Sequence, residues 1–365
     1  MNTWPAPQPL PRRLALQRLG LALLAAPSAA LALPARALVF PRDFGAHPEL
    51  RTEWWYITGH AQAEGGRELG FQLTFFRSRV DAAQSLQSRF AARQLVFAHA
   101  AVTDLQGREL LHDERIARAG FGLAEAATGD TDLRLDGWTL SRSGPVEASR
   151  YQARLAARDF TLDLSFDARS LVRQGVQGLS RKGPEASQAS YYYSRPQLLA
   201  QGRVVLRGQR LAVQGRAWLD HEWSEALLHP QAQGWDWVGM NLDDGSALTA
   251  FRLRRADGSA LWDGGSWHNA SGATQNFPAG SVRFEPRRHW TSPLTGARYP
   301  VEWQLDTPAG RWVVRARLDA QELDSRNSTG AVYWEGLSEL LDAQGQRRGQ
   351  GYLEMTGYAA PLRLG

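Results

Sequence analysis

The sequence predicts an all-β fold of barrel or sandwich type, and three observations lead there. Apolar and polar residues alternate with period two in many segments. Over 161–167, Leu162, Leu164 and Phe166 share one face. Over 311–318, Trp312, Val314, Ala316 and Leu318 oppose Arg311, Arg315 and Arg317, and 301–305 repeats the pattern. Such alternation belongs to strands with one buried and one wet face. Short turn signals separate the runs, among them Gln106-Gly107, Asp243-Asp244-Gly245, Ala256-Asp257-Gly258, Pro308-Ala309-Gly310 and Gln344-Gly345, as in hairpin-built sheets. Helical patterning is scarce: 81–93 reads as one helix or a long loop, and 217–228 has a partly helical look.

The N-terminus has the order of an export signal. Arg12 and Arg13 precede an uncharged stretch over 19–33, and Ala35-Arg36-Ala37 follows, placing small residues at −3 and −1 of a cleavage site after Ala37. The apolar stretch, about 15 residues long, is short of the ~20 that a membrane helix needs, and Pro27 and Pro34 oppose a lasting helix. The expectation is a signal peptide over 1–37 and export to the periplasm or beyond. Arg12-Arg13-Leu14-Ala15-Leu16 suggests the twin-arginine route, with the general secretory route the alternative.

Cleavage there removes Arg12, Arg13, Arg18 and Arg36 and no acid, so 38 of the 42 bases remain against 37 acids. A balance this close to neutral, with no basic stripe, gives no footprint for nucleic acid. The 365 residues less the first 37 suggest two domains. Arg207-Gly208-Gln209-Arg210 separates two apolar runs and gives domains over 38–208 and 209–365. Ten of the 14 tryptophans lie from Trp218 to Trp334. The chain has no cysteine, which excludes a thiol nucleophile, thiolate metal ligation and a cysteine-borne lipid anchor. Lys182 is the only lysine and the single candidate for Schiff-base chemistry. No cofactor and no metal are expected.

Three clusters are candidates for chemistry. In Glu53-Trp54-Trp55-Tyr56-Ile57, strand geometry sends Trp54 and Tyr56 one way and Glu53, Trp55 and Ile57 the other. The aromatics plug a barrel end or line a ligand site. Glu53 is either paired with an arginine or raised in pKa. In Tyr191-Tyr192-Tyr193, rings occupy both strand faces, as a domain belt or as ligand contacts. The third cluster is Asp220-His221-Glu222-Trp223 with Trp235-Asp236-Trp237 after it. Adjacent ligands make a poor zinc site. A histidine oriented by a carboxylate among indoles makes a better acid–base centre; a buried polar network between domains is the other reading. No Gly-x-Ser-x-Gly elbow supports a serine hydrolase.

At these residues the chain resembles the family of the carotenoid 1,2-hydratase (hydroxyneurosporene synthase) and the AttH-like secreted proteins described as predicted hydrolases. The resemblance lies in EWWYITG at 53–59, YYYSRPQL at 191–198, AWLDHEWS at 217–224, GWDW at 234–237, FRLR at 251–254, YWEG at 333–336 and GYLEMTGY at 351–358. It implies two lipocalin-like β-barrels in one chain. It also implies an apolar, isoprenoid or lipid-like ligand, cofactor-free acid-catalysed hydration or hydrolysis, or else a carrier beside an ABC-type membrane-transport complex. His221 and Trp223 match the hydratase branch's His-x-Trp pair. Its Tyr-x-Asp pair has no counterpart around 248–251. The candidate catalytic residues are therefore His221 with Asp220, Glu222 or Asp236, and the candidate ligand contacts are Trp223, Trp235, Trp237, Glu53, Trp55, Tyr191, Tyr192 and Trp334.

Overall fold

The computed structural model describes residues 32–226 and 228–362. Among them the regular elements are strands and three single-turn 3₁₀ helices. The helix considered over 81–93 is one such turn, Asp81–Ala83. The helical look of 217–228 is overruled by pairing, because the strand Gln209–Ser224 runs through it. No helix among the described residues is long and apolar enough to cross a membrane. The leader expected over 1–37 lies outside the described residues as far as position 31.

The strands form two antiparallel sheets of 13 and 10 strands, the first curled into a nearly closed barrel, giving two lipocalin-like barrels in one chain. In the first sheet Glu68–Arg79, Thr52–Ala63, Gln209–Ser224 and Ala189–Leu206 lie side by side. Residues 209–224 thus belong to the first barrel, and the chain crosses to the second between Ser224 and Gly234 rather than at 208. The physical reason is the turn: Arg207 and Gly208 both have positive φ, 48° and 83°, as a two-residue hairpin requires. They close a hairpin within one sheet, not a linker between domains. The second sheet carries Ala247–Arg254, Gly234–Leu242, Arg347–Met355 and Ala331–Leu341 as consecutive neighbours.

Both barrel interiors are filled with side chains. Trp55, Ile57, Phe71, Leu73, Leu133 and Trp138 are buried in the first, and Tyr299, Trp303, Leu305 and Trp334 in the second. A third cluster, with Tyr56, Trp218, Trp237, Phe251, Leu337 and Tyr352, lies between the sheets. A bulge after Arg195 locks that junction. Pro196 has no N–H for the ladder, and Gln197, at φ 58°, turns toward the second sheet. Its backbone N–H donates to Asn241 Oδ1 at 2.8 Å, and its amide nitrogen donates to the Leu242 and Ser246 carbonyls at 2.9 and 2.7 Å.

Two strands of the second barrel approach so closely that a side chain has no room. A Cβ on Gly351 would sit 1.9 Å from the Gly239 carbonyl oxygen. Gly351→Ala should therefore lower stability by about 1–3 kcal/mol through overpacking, seen as a lower urea midpoint with an unchanged slope.

Candidate functional site

Strand alternation divides the sequence clusters between two places. On Gln209–Ser224, His221 and Trp223 enter the first barrel, while Trp218, Asp220 and Glu222 face the layer between the sheets. Asp220, His221 and Glu222 therefore do not form one acid–base centre, since neighbouring side chains leave an extended strand on opposite faces. Glu53 and Trp55 accompany His221 inside the barrel; Tyr56 joins Trp237 in the layer, with ring centroids 5.4 Å apart and edge to face. Tyr191 and Tyr193 go inward, and Tyr192 reaches the layer.

The network inside the barrel is centred on Glu53, which is fully buried. Its Oε1 lies 2.7 Å from His47 Nδ1 and 2.8 Å from His221 Nε2. Its Oε2 accepts from the His47 N–H and from Arg77 Nε, both at 2.8 Å. An ionised carboxylate only accepts, so both imidazole nitrogens donate. His221 Nδ1 is then free to accept from the Tyr193 hydroxyl at 3.2 Å. His47 Nε2, 3.1 Å from Asp43 Oδ1, makes His47 an imidazolium between two carboxylates. Burial works against each charge here. For Glu53 the hydrogen bonds from His221 and His47 outweigh it and hold the carboxyl well below its ordinary range. For His47 the bonds to Asp43 and Glu53 outweigh it and raise the imidazole. For His221 burial wins and lowers the pKa to about 4.

Trp223 stacks on His47 with centroids 3.9 Å apart, and Trp55 on His221 at 4.4 Å. His47, Glu53 and His221 bring three possible ligand atoms within 4.8 Å, a donor set that suits a divalent metal. Each of these atoms already has its hydrogen-bond partner, and Arg77 adds positive charge, so the network is complete in its protonated form.

The layer between the sheets behaves oppositely. Asp220 accepts from the Tyr192 hydroxyl at 2.7 Å, Ser194 Oγ at 2.5 Å and Trp218 Nε1 at 2.7 Å, yet burial raises it to about 7. Glu222 is bound by Ser190 Oγ and by Lys182 Nζ at 2.9 Å. Lys182 also lies over the rings of Tyr192 and Phe251, 4.7 and 4.3 Å from their centroids. From the second barrel come two acids that sequence reasoning did not single out, Glu335 and Glu354, opposite each other in register. Burial, then the neighbouring Glu354, raises Glu335 well above the ordinary range. Burial raises Glu354 to about 8 against the Trp235 indole, with Asp220 and Glu222 pushing the same way. The Tyr56 hydroxyl lies beside Glu335, but neither it nor Glu335 Oε1 finds a partner in hydrogen-bond geometry.

The remaining candidates fall elsewhere. Asp236 is in the second barrel, 2.7 Å from Arg252 Nε and 3.0 Å from Arg254 Nε, and accepts from the Tyr358 hydroxyl at 2.8 Å. Paired this fully, it is structural and does not assist His221. Trp334 is core, its Nε1 donating to the Asp319 carbonyl at 2.7 Å. Tyr191 meets the N-terminal segment, donating to the Pro34 carbonyl at 2.5 Å. An open groove of about 680 Å³ touches His60, Gln62, Arg216, Leu337 and Gln350. These lie on the same strand faces as Tyr56, Asp220, Glu335 and Glu354, one to three alternations away. The groove thus lies along strands that also carry the acidic layer, without touching the acids themselves.

The AttH-like family profile matches residues 31–358. The chain belongs to the AttH-like family. An AttH-like protein from Nitrosomonas europaea of known structure is 47% identical, covering 90% of this chain and 99% of that one, with a TM-score of 0.83. Kievitone hydratase from Nectria haematococca shares the fold at 14% identity, over 91% and 94% of the two chains, with a TM-score of 0.68. CghA, solved with Sch210972, shares it at 12% identity over 86% and 89%, with a TM-score of 0.50. No curated protein matches the chain.

Glu53→Gln leaves Arg77 and the His47 imidazolium facing a neutral amide. Breaking a buried pair from one side costs ~3–5 kcal/mol, which denaturant unfolding at neutral pH should register. Because the folded pKa of Glu53 is depressed, its contribution is present above the unfolded value and fades as pH falls. The gap between wild type and variant should therefore narrow below about pH 4.

Proposed function

We propose that this AttH-like protein is an exported hydratase-type enzyme that protonates an apolar, unsaturated substrate in the acidic layer between its two barrels. The observation that carries the reading is the fully enclosed carboxyl of Asp220 among Tyr192, Trp218 and Trp237, which burial pushes up to about 7. A general acid works best with its pKa near the operating pH, and burial keeps the proton on at neutrality. Proton addition to a carbon–carbon double bond makes a carbocation. The faces of Trp218 and Trp237, whose centroids lie 6.3 Å apart, offer it electron density. Water then adds to the cation, and its surplus proton passes to the carboxylate that Asp220 has become, which restores the donor.

The groove supplies the way in. From His60 to Tyr56, or from Arg216 to Asp220, is four residues along a strand, roughly 13 Å, a reach suited to an elongated molecule. The fold shared with kievitone hydratase supports a hydration reaction, and the export signal read in the sequence supports a site of action outside the cytoplasm. In this reading His221 is a positioning residue, holding from behind the strand that bears Asp220 and Glu222.

Incubation of the purified protein with a panel of polyenes, prenylated phenols and lipid esters in heavy-oxygen water tests this. The expected product carries one oxygen from solvent. Asp220→Asn should lower turnover by about 10²–10⁴-fold with folding intact. Because the donor must be protonated, kcat/KM should fall as pH rises through about 7. A protein that binds the panel and turns none of it over is a carrier, and the proposal fails.

A further inference from the structure

The first described residues are built into the first barrel. Leu33 and Leu38 are buried in its core cluster. The Pro34 carbonyl accepts the Tyr191 hydroxyl. Arg36 grips Asp43 with both terminal nitrogens, at 2.7 and 3.2 Å, and its guanidinium lies 4.5 Å from the centre of the Tyr191 ring. Asp43 is itself buried, accepts from the Val39 N–H at 2.7 Å and holds His47. Arg36 is thus the outermost cation of the chain that runs through Asp43, His47 and Glu53 to His221.

A cut after Ala37 would remove that cation, the Leu33 side chain and the Pro34 carbonyl together. It would leave Asp43 with His47 as its remaining cationic partner. Losing one partner of a buried charge is strongly unfavourable. The sequence contains another pair of small residues at −3 and −1, Ala30 and Ala32 in Ala30-Leu31-Ala32, still at the end of the apolar stretch. A cut there spares every contact just described, and the family match itself begins at residue 31.

We propose that the leader is removed between Ala32 and Leu33, and that residues 33–37 remain as a strap closing the end of the first barrel. This rests on the export reading. The reaction is hydrolysis of the Ala32–Leu33 amide by a leader peptidase that selects small side chains at −1 and −3. Water supplies the oxygen of the Ala32 carboxylate, and the leaving nitrogen becomes the Leu33 ammonium. The mature chain then keeps Arg36.

The full chain with its own leader is expressed in a Gram-negative host, and the exported fraction is read by intact mass and N-terminal sequencing. An N-terminus at Leu33 is expected. Ala32→Leu should accumulate the precursor, whereas Ala37→Leu should be processed normally. Arg36→Gln, processed at the same bond, should show a lower urea midpoint than wild type. A mature N-terminus at Leu38 overturns the proposal and leaves export standing. An uncleaved chain confined to the cytoplasm overturns the export reading and this site with it.

Discussion

Successive side chains of an extended strand leave on opposite faces, and three neighbouring strands of this protein use both faces for polar groups. Thr52–Ala63 sends Glu53 and Trp55 into the first barrel and Tyr56 to the layer between the sheets. Ala189–Leu206 divides Tyr193 from Tyr192, and Gln209–Ser224 divides His221 from Asp220 and Glu222. The register of these strands fixes both networks at once: Trp55 stands opposite His221, and Tyr56 opposite Asp220. A slip of one residue would exchange the two sets and place the acids in the barrel core. The rest of the architecture, from the bulge at Pro196 to the strands of the second barrel that cover the layer, keeps that register in place.

The two faces show how the same side chains acquire opposite character. Glu53 is wholly buried, yet it meets an arginine, an imidazolium and a neutral imidazole, and remains ionised. Asp220, Glu335 and Glu354 lie in a layer where Lys182 is engaged by Glu222. Buried acids without a cation of their own cannot all be charged in a poorly solvated space, so protons are retained where the pairing runs out. A polar group with a complete set of partners holds a fold in place; a carboxyl lacking a cation keeps a proton it can transfer.

Much of this was legible in the sequence. The alternation at 161–167 and 311–318 and the spacing of turns define strands, and the facing of Trp54 against Glu53 follows from the same rule. The motifs at 53–59, 191–198 and 217–224 mark the strands that meet at the site. What failed was treating Asp220, His221 and Glu222 as one centre, because closeness in sequence was taken as closeness in space against the strand rule itself. Glu335 and Glu354 were within reach, since they lie in the YWEG and GYLEMTGY segments, but their importance depends on a pairing across two strands that sequence does not reveal. The partners of Asp236, Arg252 and Arg254, are two alternate residues of the adjacent strand. The domain boundary was misplaced because a two-residue hairpin and a linker use the same small, polar residues.

Filled barrels move the question of function to the surface they share. A lipocalin-like barrel that carries ligand inside must leave its interior open; here Trp55, Phe71, Trp138 and Trp303 are buried in the two interiors. One open space among the described residues is the groove touching Leu337, whose neighbour on the same strand face is Glu335. In the proposed reading a substrate lying in that groove meets amides, His60 and Arg216 and points along the strands toward the rings and acids of the layer. The polarity gradient runs along the strands, and the fold sets its direction, because each step of two residues from His60 to Tyr56 or from Arg216 to Asp220 keeps the same face while leaving solvent. In the proposed reading each barrel supplies a wall, and burial, more than the acids' mutual proximity, keeps them protonated.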